Sequence, residues 1–226
     1  MTYRQDSDIP RPYGTFIRRE TRDDDAVDAL VSAAASRPGT VAWLASNCHT
    51  ASGREDFVAE LSNHTAVDVY GACGRPCDGG RPAKEEEDGC SRMLSGGYRF
   101  YLALENSACR DYVTEKFWRR LDDGLVPVVA GGGVGYAAMA PPGSYVDAAD
   151  FGSARELAQF LEGVTREEYE GFHAWRYEYE VSRGAEQKAW SMCELCRMLH
   201  EDKGEKVYED MHGWWVEGAE CRTRKE

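Results

Sequence analysis

The sequence predicts an α/β fold: a doubly wound parallel sheet with helices on both faces. Apolar runs of strand length alternate with helix-period stretches, helix-start signals follow the strands, and polar residues crowd the strand-to-helix loops.

The elements follow in order. A helical pattern covers Asp24–Ser36 and stops at Arg37-Pro38-Gly39. Val41–Ser46 (VAWLAS) reads as a buried strand. Ser52-Gly53-Arg54-Glu55 then spells a capping box, opening an apolar-periodic helix that runs to about Asn63. Val67–Gly71 is a second strand. After a Cys- and Gly-rich connection come a strand at Tyr98–Leu104, a helix at Thr114–Asp123 closed by Gly124, and a strand at Leu125–Ala130. Tyr145–Phe151 is a further strand. The box Ser153-Ala154-Arg155-Glu156 starts a helix to about Glu162, and Thr165-Arg166-Glu167-Glu168 starts one rich in aromatics. Glu186–His200 is a helix carrying Cys193 and Cys196. Strand, helix, strand twice over implies right-handed parallel crossovers. The expected divisions are a lead-in at 1–40, the main domain at 41–200 and a tail at 201–226.

With 226 residues, 42% of them apolar, the chain can bury one sizeable core. Its net charge of −13 is spread along the chain, which leaves no basic surface able to track a nucleic acid backbone. Phosphates on a small ligand still fit, because a few cations and backbone amides decide that locally. No apolar run approaches the roughly 18 residues of a spanning helix, and the polar start MTYRQDSDIPRPYG has no signal-peptide core. If the protein is secretory, its targeting segment lies outside this chain. Eight cysteines (Cys48, Cys73, Cys77, Cys90, Cys109, Cys193, Cys196, Cys221) suit disulfides, and Asn63-His64-Thr65 is a glycosylation acceptor pattern. Together they tilt the compartment toward the secretory lumen.

A doubly wound sheet binds ligands beyond the carboxyl ends of its strands, so attention falls on residues 46–54, 71–74, 105–116 and 131–136. The loop Glu105-Asn106-Ser107-Ala108-Cys109-Arg110-Asp111-Tyr112 leaves a buried strand and enters a helix bearing Glu115 and Lys116. Free N–H groups at a helix start favour anions, and Lys116 adds a charge suited to a diphosphate. The same residues also read as an ordinary charged first turn with a solvated lysine. Arg54 sits in a first turn too, where the helix dipole disfavours a cation; it is either an anion ligand or an exposed partner of Glu55 or Asp56.

Three other patterns carry less. Gly133-x-Gly135-x-x-Ala138 matches a dinucleotide fingerprint, but Pro141-Pro142-Gly143 would end its helix within about two turns, so it reads as a tight loop. Cys193-x-x-Cys196 with His200 could begin a zinc site, yet lacks a matching second half, and disulfides are favoured. Asp6-Ser7-Asp8 resembles a metal-binding DxD but follows no strand.

The string Phe100–Lys116, FYLALENSACRDYVTEK, resembles the signature of the α-1,3/4-fucosyltransferase family, in which F-x-F-E-N-S runs into D-Y-[VI]-T-E-K. VAWLASNC with Arg54 downstream, VDVYGACG, LVPVVAG, PPGSYVDAADF and ARELAQFL follow in the family's order, from about Tyr3 to His200. Cys48, GACG with Cys77, Asn106-Ser107-x-Cys109 and the Cys193/Cys196 pair look most like the branch acting on the innermost GlcNAc of N-glycans.

The resemblance implies the C-terminal, Rossmann-like half of a GT-B glycosyltransferase of family 10, transferring fucose from GDP-fucose to GlcNAc of a glycoprotein glycan with inversion. By matching position, Lys116 and Arg54 would hold the diphosphate, Glu115 the fucose, Asn106 and Tyr112 the donor pocket, and Ser46 and Tyr70 the nucleotide. It implies no required cofactor, with Mn²⁺ at most stimulatory. It also implies a Golgi lumenal location, with a membrane anchor in the full-length form. Disulfides are expected among Cys48, Cys73, Cys77, Cys90, Cys109, Cys193 and Cys196, with Cys193 or Cys196 joining distant segments. The chain starts within the family's Y-R-x-D-S-D-I segment, so the acceptor domain and its general base are expected to be absent. Weak donor binding and poor turnover follow, the alternative being a non-catalytic nucleotide-sugar-binding remnant.

Overall fold

Elements appear in the computed structural model wherever alternating or helix-period apolar residues have a face to bury. It describes residues 1–77, 89–130, 135–201, 204 and 206–222. In chain order the first elements are β1 (Gly14–Arg18), α1 (Asp24–Ala35), β2 (Gly39–Leu44), α2 (Arg54–Ser62), β3 (Val67–Tyr70), α3 (Gly89–Gly97) and β4 (Tyr98–Leu102). Then follow α4 (Glu115–Asp122), β5 (Val126–Val129), α5 (Tyr136–Met139), β6 (Val146–Asp147), α6 (Ala154–Gly163), α7 (Arg166–Gly171), β7 (Tyr179–Arg183) and α8 (Ala185–His200).

Five strands form a parallel sheet in the order β3-β2-β4-β5-β6. Alternation within each strand feeds two cores. Val41, Trp43, Phe100, Leu102, Val126 and Val128 face a cluster with Val58, Leu61, Leu157 and Leu161 from α2 and α6. Ala42, Tyr101 and Val129 face the opposite cluster, with Leu94 from α3 and Phe117, Trp118 and Leu121 from α4. Burial on both faces is why these strands read as nearly continuous apolar runs.

Two of the expected capping boxes differ in use. At Thr165 the box is complete: its side chain accepts from the Glu168 N–H while Glu168 accepts from the Thr165 N–H. At Ser52 it does not form. Gly53, in the left-handed region at φ 63°, caps α2, and the Ser52 hydroxyl instead donates to the Glu105 carbonyl at 2.7 Å. The hydroxyl turns to a tertiary acceptor rather than taking a local N–H.

β1, β7 and α3 lie outside the sequence expectations. β1 and β7 pair antiparallel as a separate two-stranded sheet, with Phe16 packed between Trp118 and Trp175. α3 (GCSRMLSGG) is Gly-rich and held by burial of Cys90 and Leu94, so propensity gave no hint of it. Contacts cross both expected divisions: β1 pairs beyond residue 178, and buried Arg4 donates to the Trp214 carbonyl and to Asp6. The aspartates of Asp6-Ser7-Asp8 are engaged by Arg4, Arg110, Lys206 and Tyr208. The acidic stretch at 84–88 and the glycines at 131–133 lie outside the described residues.

Three disulfides form: Cys48–Cys73, Cys77–Cys90 and Cys109–Cys221. This corrects the expectation for Cys193 and Cys196, which are free and exposed, one turn apart on α8. Every other thiol is already bridged. It also adds Cys221, which reaches Cys109 because the tail runs antiparallel to the loop at Ala108, with Arg222 N–H donating to the Ala108 carbonyl at 2.9 Å.

His173 is fully buried beside the Tyr169 ring, and its Nδ1 accepts from Arg176 Nε at 3.1 Å. Burial first, then Arg176 and Arg37, push its pKa down to about 3. It stays neutral in the fold while the unfolded chain takes up a proton below pH 6.5. Stability is therefore complete above that pH and falls by about 1.4 kcal/mol per unit as pH drops toward the folded value. Between pH 7 and 5 this residue should cost about 2 kcal/mol, and His173→Asn should remove that share of the slope in urea titrations at pH 7, 6 and 5. A thiol reagent should add to two cysteines of the unfolded, unreduced chain and to eight after reduction, read by intact mass.

Candidate functional site

The strand order places β2 and β4 side by side, with β2 crossing outward to β3 and β4 crossing the other way to β5. The two loops separate at the carboxyl ends, the place where doubly wound sheets hold ligands. A cleft of about 230 Å³ opens there. Leu44, Ala45, Ser46, Asn47 and Arg54 line it from the β2 side, and Tyr101, Asn106, Glu115, Lys116, Arg119 and Arg120 from the β4 side. Four cations and one carboxylate share this lining in a chain of net charge −13, so the cleft inverts the character of the whole molecule.

Arg54 is not the exposed surface residue its sequence position allows. It is buried, donating from Nη1 to the Leu104 carbonyl at 2.8 Å and from Nη2 to the Asn47 carbonyl at 2.9 Å. Its ion pair with Glu55 is long, at 3.5 Å, and its guanidinium lies 5.5 Å from the Trp43 ring centroid. The guanidinium thus ties the two loops together and presents a fixed charge to the space between them.

On the other side, Glu105 leaves the end of β4 and turns inward. One carboxylate oxygen accepts from the Thr114 N–H at 2.7 Å, and both accept from the Thr114 hydroxyl at 2.9 and 2.8 Å. Lys116 Nζ reaches Thr114 Oγ1 at 2.8 Å, Glu115 at 3.2 Å and Glu105 at 3.3 Å. Burial pulls the ammonium's pKa down, but Glu105 and Glu115 outweigh it and hold it above the ordinary lysine value. Burial also raises Glu105, against the opposing pull of Lys116 and the Thr114 bonds.

Asn106 Oδ1 is buried with no hydrogen-bond partner among the described residues, although it belongs to a side chain lining the cleft. A buried acceptor left open costs free energy unless a ligand donor or water completes it. Arg120 is buried over the Tyr101 ring at 5.0 Å and paired with Asp123 at 2.7 Å.

Of the residues expected at the site, the structure gathers Ser46, Arg54, Asn106, Glu115 and Lys116 around the cleft. Two are elsewhere. Tyr70 is buried with its hydroxyl on Tyr98 at 2.6 Å and Arg75 at 3.0 Å, and Tyr112 packs edge-on against Tyr3 at 5.0 Å. The sequence reading missed Glu105 as a buried anchor, along with Arg119 and Arg120. A signal for Arg120 existed: it follows Phe117 by three positions, placing it on the buried face of α4. Asn63 is exposed at the end of α2, as a glycosylation acceptor must be. Among the described residues no group of three or more His, Cys, Asp or Glu side chains is gathered as metal ligands.

A family profile described as glycosyltransferase family 10 (fucosyltransferase) C-term matches residues 34–214. The chain is 35% identical to Alpha-(1,3)-fucosyltransferase C of Drosophila melanogaster, over 99% of this chain and 55% of that protein. It is 38% identical to Alpha-(1,3)-fucosyltransferase 7 of Bos taurus, over 95% and 58%. Glycoprotein 3-alpha-L-fucosyltransferase A of Drosophila melanogaster is 32% identical, over 99% and 44%. The chain thus spans about half the length of the curated relatives it matches. Its fold resembles a crystal structure of an alpha1,3-fucosyltransferase with GDP-fucose: TM-score 0.57 at 21% identity, covering 77% of this chain and 51% of that one.

Because Arg54 bridges two loop carbonyls, its removal should destabilise the chain even without a ligand. Arg54→Met should cost about 2–3 kcal/mol in chemical denaturation, against a few tenths for a surface arginine such as Arg18.

Proposed function

Because the chain belongs to glycosyltransferase family 10, the fucosyltransferases, we propose that the cleft between β2 and β4 is its GDP-fucose site. The observation that carries this reading is the cationic lining at the switch point, with the buried Asn106 acceptor left open beside it. A nucleoside diphosphate supplies the negative charge that the lining lacks, and a sugar or ribose hydroxyl supplies the missing donor.

Under this reading Lys116 and Arg54 hold the diphosphate, with Arg119 and Arg120 adding to the field. Glu115, whose carboxylate is 58% exposed at the rim, accepts from fucose hydroxyls and stabilises positive charge as the glycosidic bond breaks. Ser46 contacts the nucleotide, whereas Tyr112, packed on Tyr3, lies outside the cleft lining and has no assigned contact in this reading. Tyr70 acts at most through Ala45, whose N–H donates to its carbonyl at 3.0 Å. The leaving diphosphate gains charge in the transition state, and fixed cations that need no reorganisation favour that state over the ground state. Mn²⁺ would then stimulate rather than be required.

The acceptor we infer is a GlcNAc hydroxyl of a glycoprotein glycan, attacked with inversion. Its proton goes to a general base supplied by the acceptor-binding part of the family fold. The curated relatives compared above include several transferases at 32–38% identity, and this does not favour the branch acting on the innermost GlcNAc over the others. Three disulfides and the exposed Asn63 support maturation in the secretory lumen and a Golgi location.

Calorimetric titration of GDP-fucose into the folded chain should give saturable binding. Lys116→Ala and Arg54→Ala should each weaken it by about 1–3 kcal/mol, the scale of a lost charge-assisted contact. A folded chain that takes up no GDP-fucose at millimolar concentration would overturn the donor-site reading.

A further inference from the structure

Glu105 is a buried carboxylate for which the donor reading has no use. An anion beneath a cleft for anions should weaken binding by repulsion, yet its side chain is 3% exposed and committed to Thr114 and Lys116. The resolution lies in the ammonium it holds. Lysine has three N–H donors, and here all three have acceptors: Thr114 Oγ1, Glu105 and Glu115. A phosphate oxygen reaching Lys116 must displace one of them. Thr114 and Glu105 are buried and bonded to each other, whereas Glu115 is exposed, so Glu115 is the partner that yields.

We propose that Glu105 is a positioning residue for the donor site: bonded to Thr114 and Lys116, it holds the Lys116 ammonium at the mouth of the cleft while Glu115 exchanges for the diphosphate. This deepens the donor reading and rests on it. Without Glu105 the four-carbon stem of Lys116 is free to lie against Glu115 at the rim, and the charge is in the wrong place when the ligand arrives. Glu105 also sets the start of α4 through the Thr114 N–H, so the lysine and the helix that carries it share one anchor. The other charged or titratable groups around Lys116 are Glu115 on α4, Arg119 and Arg120 on the same helix, Arg54 from the β2 side, and the Tyr101 and Tyr112 hydroxyls.

The test is a double-mutant cycle with GDP as the probe, run by calorimetry on wild type, Glu105→Gln, Lys116→Met and the double variant, each checked for cooperative thermal unfolding. Glu105→Gln should weaken GDP binding about tenfold when Lys116 is present, within the usual coupling of contacting residues. In the Lys116→Met background the same change should leave affinity unchanged or raise it, because only the repulsion is then removed. Equal losses in both backgrounds, or a gain in the Lys116 background, would overturn the proposal. If Glu105→Gln does not fold, Thr114→Val, which removes the shared hydroxyl, should give the same pattern on a smaller scale. A ligand-free readout separates this from failure of the donor reading. The ¹³Cε titration midpoint of Lys116 should fall on Glu105→Gln, since burial then acts unopposed by that carboxylate. A midpoint that does not move would sink the positioning role whether or not GDP binds.

Discussion

The structure turns on the Arg54 guanidinium, which spans the gap where the sheet's connections part. A doubly wound sheet must open at its switch point, since the strands there send their loops in opposite directions. Opened backbone carries carbonyls without ladder partners, and those carbonyls must be satisfied. Arg54 answers both needs, taking the Leu104 and Asn47 carbonyls and leaving its charge on the cleft wall. Ser52 adds a stitch to the Glu105 carbonyl, at the expense of the helix cap its sequence neighbourhood suggests. The opening in the sheet and the cluster of cations thus occupy one place.

Electrostatics follows from that placement. Acidic side chains dominate the chain, yet Arg54, Lys116, Arg119 and Arg120 converge on one cleft. Their repulsion is contained by different means: carbonyls for Arg54, the Tyr101 ring and Asp123 for Arg120, and Glu105 for Lys116. A charge held by neutral carbonyls or an aromatic face keeps its full attraction for an anion. A charge held by a carboxylate gives part of it up in return for a fixed location.

Much of the sheet was legible because burial on both faces writes long apolar runs, as in VAWLAS and YRFYLAL, and because Gly124 and the Thr165 box mark helix ends chemically. Arg54 and Lys116 were legible as candidates through their places in the first turns of helices that follow strands, where each also read as an ordinary charged surface residue. What stayed hidden depends on distance in space. The Ser52 cap was lost to an acceptor 53 residues away, and Glu105 looks like any loop acid until Thr114 is seen above it. The β1–β7 pairing and the Cys109–Cys221 bridge join segments more than 100 residues apart, and nothing local announces either. Cys193 and Cys196 misled for the opposite reason: a tidy local spacing with no facing thiol.

The Cys109–Cys221 bridge also imposes an order on biosynthesis. Its two cysteines are 112 positions apart, and the first lies in the loop that carries Asn106. A ribosome delivers the parallel sheet long before it delivers Cys221, so the sheet and its loops are in place while Cys109 still carries a thiol. The loop is fastened last, by residues that take no part in the sheet. A nascent chain therefore carries an unpaired Cys109 thiol, open to oxidation, until its partner is delivered 112 positions later, and the loop beside the cleft acquires its mature outline only when that bond is made.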